Sequence, residues 1–162
     1  MTGTTPRDIE PADHAGLLAL NAVHETELSP MTAEGFASAV EMAVYAQCFA
    51  ESAGFLLAYD QTADLASANF RWFKARYEQF VYIDRVVIAG RVRGQGLARA
   101  LYAELADRAE AAGHMRLVCE VNIDPPNPAS MRFHLGQGFF ETGRARLASG
   151  KLVAYLVRDL AL

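Results

Sequence analysis

Residues Val86 to Leu105, VVIAGRVRGQGLARALYAEL, pass from an apolar, β-branched run through Arg93-Gly94-Gln95-Gly96 directly into a pattern in which Leu97, Leu101 and Leu105 recur every fourth residue. A strand that turns on two glycines and opens a helix presents the first amides of that helix, which have no acceptor inside it, at the positive end of its dipole. The spacing predicts a cradle for an anion of the phosphate type. Charge placement agrees with this: from Asp84 to Glu104 no acidic residue intervenes, while Arg85, Arg91, Arg93 and Arg99 crowd the segment, in a chain of net charge -4. A solvated charge run is the bland alternative, but it does not require a glycine turn at a helix start.

Working outward, 162 residues suit one domain spanning 1–162, long enough to bury about two thirds of its unfolded surface without staples. A composition 52% hydrophobic and 21% charged is that of a soluble globular protein. Cys48 and Cys119 lie in apolar runs without CxxC spacing, which predicts buried, reduced thiols and no metal site. No apolar window is long enough to span a bilayer, and Asp8, Glu10 and Asp13 stand where a signal peptide would be basic, so a cytoplasmic location without membrane attachment is expected. Net negative charge argues against nucleic acid as a partner.

Along the chain, Asp13 is the expected cap of a helix to about His24, and Thr32 of a second helix to about Ala43. Tyr45 to Glu51 and Gly54 to Tyr59 read as an antiparallel hairpin, and Gln61 to Gln79 as a helical excursion carrying Phe70, Trp72, Phe73 and Tyr77. A strand over Phe80 to Ile88 precedes the glycine turn, and a helix over Leu97 to Ala112 follows it. Arg116 to Val121 is then a buried strand, Pro128 to Leu135 a short helix, and Phe139 to Leu147 with Leu152 to Val157 a last hairpin. Hairpins mixed with a helical crossover imply an α/β protein with a mixed sheet and helices on both faces.

Arg93-Gly94-Gln95-Gly96-Leu97-Ala98 resembles the acyl-CoA-binding signature of the GNAT superfamily of N-acyltransferases: Gln or Arg, two of any residue, Gly, any residue, then Gly or Ala. An overlapping match at Arg91 to Gly96 starts the helix too early for the Leu97, Leu101, Leu105 face. Asn127 to Phe139, NPASMRFHLGQGF, is similar to the second signature of that family, and Arg7 to Asp13 to its first strand and helix start. The resemblance implies a seven-stranded, mostly antiparallel sheet. It also implies acetyl-CoA as cosubstrate without a metal, and a primary amine of a small molecule or peptide as acceptor, and it admits a homodimer.

Carried over residue by residue, the resemblance has Arg93, Gly94, Gln95, Gly96, Leu97, Ala98 and Arg99 hold the diphosphate through backbone amides. Val86, Val87 and Ile88 pair with the pantetheine arm, which Asn127 also reaches; Asn127 before Pro128 is equally an ordinary helix cap. A thioester carbonyl attacked by an amine develops an oxyanion, and a fixed amide aimed at it lowers the barrier. His134 stands where the family most often has a tyrosine that protonates the departing thiolate. It is both the candidate general acid and a cofactor contact, with a packed helical histidine as the alternative.

Glu120, in Cys-Glu-Val-Asn, is the first candidate for the base and Asp84 the second, each of which an ion pair would explain as well. Acceptor recognition is expected from His24, Glu25, Trp72 and Tyr77, the last two in an insert that is either a lid or a satellite hydrophobic cluster. Two functions follow: an N-acyltransferase acting by direct attack in a ternary complex, or a non-catalytic acyl-CoA sensor of the same fold. A dinucleotide site is disfavoured because Arg99 occupies the place of the third glycine, and a P-loop because no Gly-Lys-Ser/Thr is present.

Overall fold

The structure is a computed structural model that describes residues 5–24 and 30–160. Its elements are β1 (Arg7–Asp8), α1 (His14–Val23), α2 (Ala33–Met42), β2 (Tyr45–Cys48), β3 (Gly54–Asp60), α3 (Ala68–Lys74) and β4 (Val81–Ile88). They continue with α4 (Leu97–Ala111), β5 (Arg116–Asp124), α5 (Pro128–Gly136), β6 (Phe140–Arg146) and β7 (Leu152–Asp159). The helices start where local chemistry places them: Thr32 Oγ1 accepts the Gly35 amide at 3.0 Å at the head of α2, and Leu101, Leu105 and Ala109 on the inner face of α4 are fully buried. β2 stops three residues short of the expected Glu51, because Ala50–Ser52 form a short 3-10 turn that reverses the chain.

Asp13 does not cap α1 as its position suggests. Its carboxylate takes both terminal nitrogens of Arg7, at 2.7 and 2.8 Å, and the Glu10 amide at 2.8 Å, so a bidentate ion pair outcompetes the helix amides and ties β1 to the start of α1. The Arg7 hydrogen bond holds the Asp13 carboxyl below the usual carboxylate range. A depressed carboxyl contributes stability above its unfolded pKa and loses it as pH falls. Arg7→Ala should therefore lower the unfolding free energy by about 1 kcal/mol at pH 7, with the difference fading below about pH 4 in urea melts.

The seven strands lie in the order β1-β2-β3-β4-β5-β7-β6. Every neighbouring pair is antiparallel except β4 and β5, which run parallel. That pair is joined only at Val81 with Leu117 and Tyr82 with Val118, although β4 runs on to Ile88 and β5 to Asp124. The cause of the parting is visible on the other side of β4. Leu57 faces Arg85 and Ala58 faces Ile83, so Asp84 is an extra residue, a bulge that bends the strand and increases its twist. Beyond it β4 stays paired with β3 and leaves β5, opening a cleft in the middle of the sheet.

Alternation along the strands sorts the core into layers. Leu56, Val81, Ile83, Leu117, Cys119 and Leu156 pack with Leu101, Tyr102 and Leu105 of α4 on one face. On the other face Leu17 and Phe36, from α1 and α2, cover Phe55, Leu57 and Val87, while Phe70 and Phe73 of α3 cover Tyr82, Val118 and Tyr155. Both cysteines are buried and free. Among the described residues no helix is long and apolar enough to cross a membrane, and no cluster of three or more His, Cys, Asp or Glu side chains could hold a metal.

Candidate active site

The turn between β4 and α4 needs its glycines. Gly94 and Gly96 have φ of +79° and +76°, a conformation that side chains disfavour, and Gly96 is the N-cap of α4. The first helical bond of α4 runs from the Ala100 amide to the Gly96 oxygen at 3.0 Å, so the amides of Leu97, Ala98 and Arg99 have no acceptor inside the helix. No atom lies within 4 Å of where a Cβ would stand at either glycine. The space they leave belongs to a groove of about 550 Å³, walled by this loop, by Val86 and Ile88, and by Ser130, Phe133 and His134 of α5.

Alternation divides the Val86–Ile88 run. Val86 and Ile88 face the groove, whereas Val87 packs the opposite way against the α1–α2 layer. Gln95 is exposed and is not part of the groove wall.

A second cavity, of about 170 Å³, occupies the cleft between β4 and β5 and meets the groove at Val86, Ser130 and His134. Its walls bring together both candidate bases, Asp84 and Glu120, with Asn122, Asn127 and Tyr102. Glu120 follows Cys119 on β5 and therefore points away from α4, toward Tyr82, whose hydroxyl donates to it. Burial pushes the Glu120 carboxyl up to about 7; the charge of Asp84 adds to this and the Tyr82 hydrogen bond opposes it. Asp84 is likewise raised by burial, against the pull of the Arg85 guanidinium at 3.4 Å. A carboxylate that titrates near neutrality can accept a proton and release it again.

At the junction, His134 is 5% exposed and both its nitrogens are engaged. Nδ1 lies 2.8 Å from the Ser130 carbonyl, which can only accept, so Nδ1 carries the proton and Nε2 accepts the Tyr102 hydroxyl at 2.7 Å. Burial lowers the imidazole pKa and favours this neutral form. Tyr102 escapes a reading of the sequence because it sits between the core positions Leu101 and Leu105. The one hint is a hydroxyl on an otherwise apolar stretch, which when buried needs a partner. Tyr102→Phe should leave His134 Nε2 unsatisfied and cost about 1–3 kcal/mol of stability, measurable by denaturant melts.

Asn127 has the role of a cap, its Oδ1 accepting the Ser130 amide at 3.2 Å, and its side chain also borders the cavity. Asn127→Ala is expected to destabilise by about 1 kcal/mol through the lost cap alone.

Three of the four residues expected to recognise the acceptor lie away from both cavities, and the fourth, Glu25, falls outside the described residues. His24 ends α1. Trp72 stacks on Tyr155 at 4.1 Å under the Arg76 guanidinium, and a Cβ on Gly143 would come within 2.6 Å of its indole. Tyr77 lies under Arg116, at the far end of β5 from the cleft and roughly 13 Å along the strand from Glu120. The insert is a packed aromatic cover on the sheet.

The sequence from residue 20 to 139 matches the model of the Acetyltransferase (GNAT) family. The fold is similar to the ribosomal-protein-S18-alanine N-acetyltransferase from Escherichia coli, at 18% identity over 100% of this chain and 96% of that one, with a TM-score of 0.70. Ard1 from Thermoplasma volcanium is similar over 98% of each chain at 16% identity, with a TM-score of 0.75. So is yncA, a putative acetyltransferase from Salmonella typhimurium solved with its cofactor acetyl-CoA, at 18% identity over 98% of this chain and 94% of that one, with a TM-score of 0.70. Comparison with curated protein sequences found no match. With the family's model covering most of its length and its sheet parted between β4 and β5 beside a glycine-opened helix, this chain belongs to the GNAT family of acetyltransferases.

Proposed function

We propose that the protein transfers an acetyl group from acetyl-CoA to a primary amine by direct attack in a ternary complex. The observation that carries this reading is the meeting of two cavities at Val86, Ser130 and His134: one leads back to the free amides of α4, the other to Glu120 and Asp84. The residues fit the cosubstrate. The open space over Gly94 and Gly96 admits a diphosphate to the backbone, and the groove then runs past Val86 and Ile88, on the side where β4 has left β5. Acetyl-CoA, when bound, supplies the activated thioester carbonyl.

The protein's own groups handle the protons and the geometry. An amine arrives at neutral pH as an ammonium, which cannot attack until a proton leaves it, and Glu120, a partly buried carboxylate on the cavity wall, accepts that proton. As the amide forms, its nitrogen gives up a second proton and the departing sulfur gains one, so one proton is released per turnover. Return of a proton to sulfur is assigned to the pair of Tyr102 and His134. At rest both of its hydrogens are engaged, the hydroxyl's with His134 Nε2 and the Nδ1 hydrogen with Ser130; the hydroxyl therefore turns from Nε2 to give its proton to the sulfur and regains one of the two protons lost by the amine. Confining both reactants in joined cavities supplies the proximity contribution.

The engaged His134 also favours a second reading, an acyl-CoA sensor without turnover. Thiol release from acetyl-CoA across a panel of primary amines separates the two. Amine-dependent thiol release is expected; tight CoA binding without release for any amine would replace the enzyme by the sensor.

A further inference from the structure

The smaller cavity has a definite electrostatic character. Its walls contain two carboxyl groups, Asp84 and Glu120, and neither a lysine nor an arginine. The remaining titratable groups there are neutral near pH 7: burial lowers His134 and raises Cys119 and Tyr102 well above their ordinary values. Arg85, beside Asp84 on β4, lies outside these walls; its Nε stands 3.4 Å from the Asp84 carboxylate, which it helps to keep ionised, and a terminal nitrogen donates to Asn21 Oδ1 of α1 at 3.0 Å. The two carboxyl groups come from strands that have parted, one on a bulge of β4 and one on β5, so they oppose each other across the cleft. Each disfavours ionisation of the other unless a cation lies between them.

We propose that the acceptor is a primary ammonium with no negative charge beside the amine, seated between Asp84 and Glu120 in the cleft of β4 and β5. This rests on the acetyltransferase reading and narrows its substrate class. A cavity of about 170 Å³ admits the amine and a few atoms around it, so a carboxylate on the adjacent carbon is drawn in with the amine and stands against Asp84. At a separation of roughly 5 Å and an effective dielectric near 20, that repulsion disfavours binding on the order of 100-fold. An amide or alkyl group in the same place brings no such penalty. Free amino acids are excluded, whereas amino-acid amides, peptide amino termini and simple alkylamines are admitted.

Glycinamide and glycine test this, as they present the same amine with and without the charge. Their binding to the CoA-loaded protein is measured by calorimetry and their acetylation by thiol release, in the native protein and in Asp84→Asn. The native protein should favour glycinamide about 100-fold in both readouts, and Asp84→Asn should shrink the ratio to within about tenfold. Amine basicity differs between the two probes but is common to both proteins, so it cancels in the comparison. Equal binding of glycine and glycinamide to the native protein, or an unchanged ratio in Asp84→Asn, would overturn the proposal. Selective glycinamide binding without thiol release would support it while removing the enzyme reading.

Discussion

Replacing Gly96 with tryptophan is expected to weaken CoA binding by more than 100-fold in calorimetry while leaving the far-ultraviolet circular dichroism of the sheet and helices unchanged. Gly96 is at φ +76° as the N-cap of α4, so any side chain there costs about 1 kcal/mol or more in strain, which a chain of this size tolerates. Nothing lies within 4 Å of its Cβ position, so the indole enters the groove beside the Leu97, Ala98 and Arg99 amides instead of the core. Gly96→Ala carries the same strain with little bulk and should lose less than tenfold. A tryptophan variant that binds CoA as well as the native protein would place the diphosphate elsewhere.

What could be read from the sequence was what short-range chemistry decides. Thr32 and Asn127 are caps because an oxygen one turn ahead of free amides meets them wherever the chain goes. Leu97, Leu101 and Leu105 mark a helix because a period of four is local, and the helix in turn fixes where Gly94 and Gly96 must bend. What escaped was decided by pairing between distant residues. The parting of β4 from β5 depends on a bulge at Asp84, set by the register of β3 opposite it.

Side-chain destinations escaped for the same reason. Asp13 looks like a cap until Arg7 is brought beside it, and Trp72 looks like a recognition residue until Tyr155 and Gly143 enclose it. Tyr102 looks like core until His134 arrives from α5 with an open lone pair. Glu120 could be named from the sequence, but its environment could not, since Tyr82 and Asp84 reach it from another strand.

That environment makes Glu120→Gln the most informative substitution, because activity and stability should move in opposite directions. Removing the proposed proton acceptor is expected to lower kcat/KM by about 10²–10⁴-fold at pH 8. It should also abolish the part of the native pH profile that rises through about pH 7, the value to which burial pushes this carboxyl. For stability the sign is that of a raised acid. Below about pH 4.5 the group is protonated folded or unfolded and contributes nothing; between there and about pH 7 only the unfolded chain gives up its proton, and native stability falls as pH rises. A displacement from 4.5 to about 7 corresponds to about 3 kcal/mol, present in full above that range. Glutamine carries no charge and keeps an oxygen for the Tyr82 hydroxyl, so the variant should be the more stable protein at pH 8, with the two converging near pH 4. If Glu120→Gln were both active and no more stable at pH 8, Glu120 would be neither a desolvated carboxylate nor the base. Loss of activity without gain of stability would keep it in the site but remove the burial that tunes it.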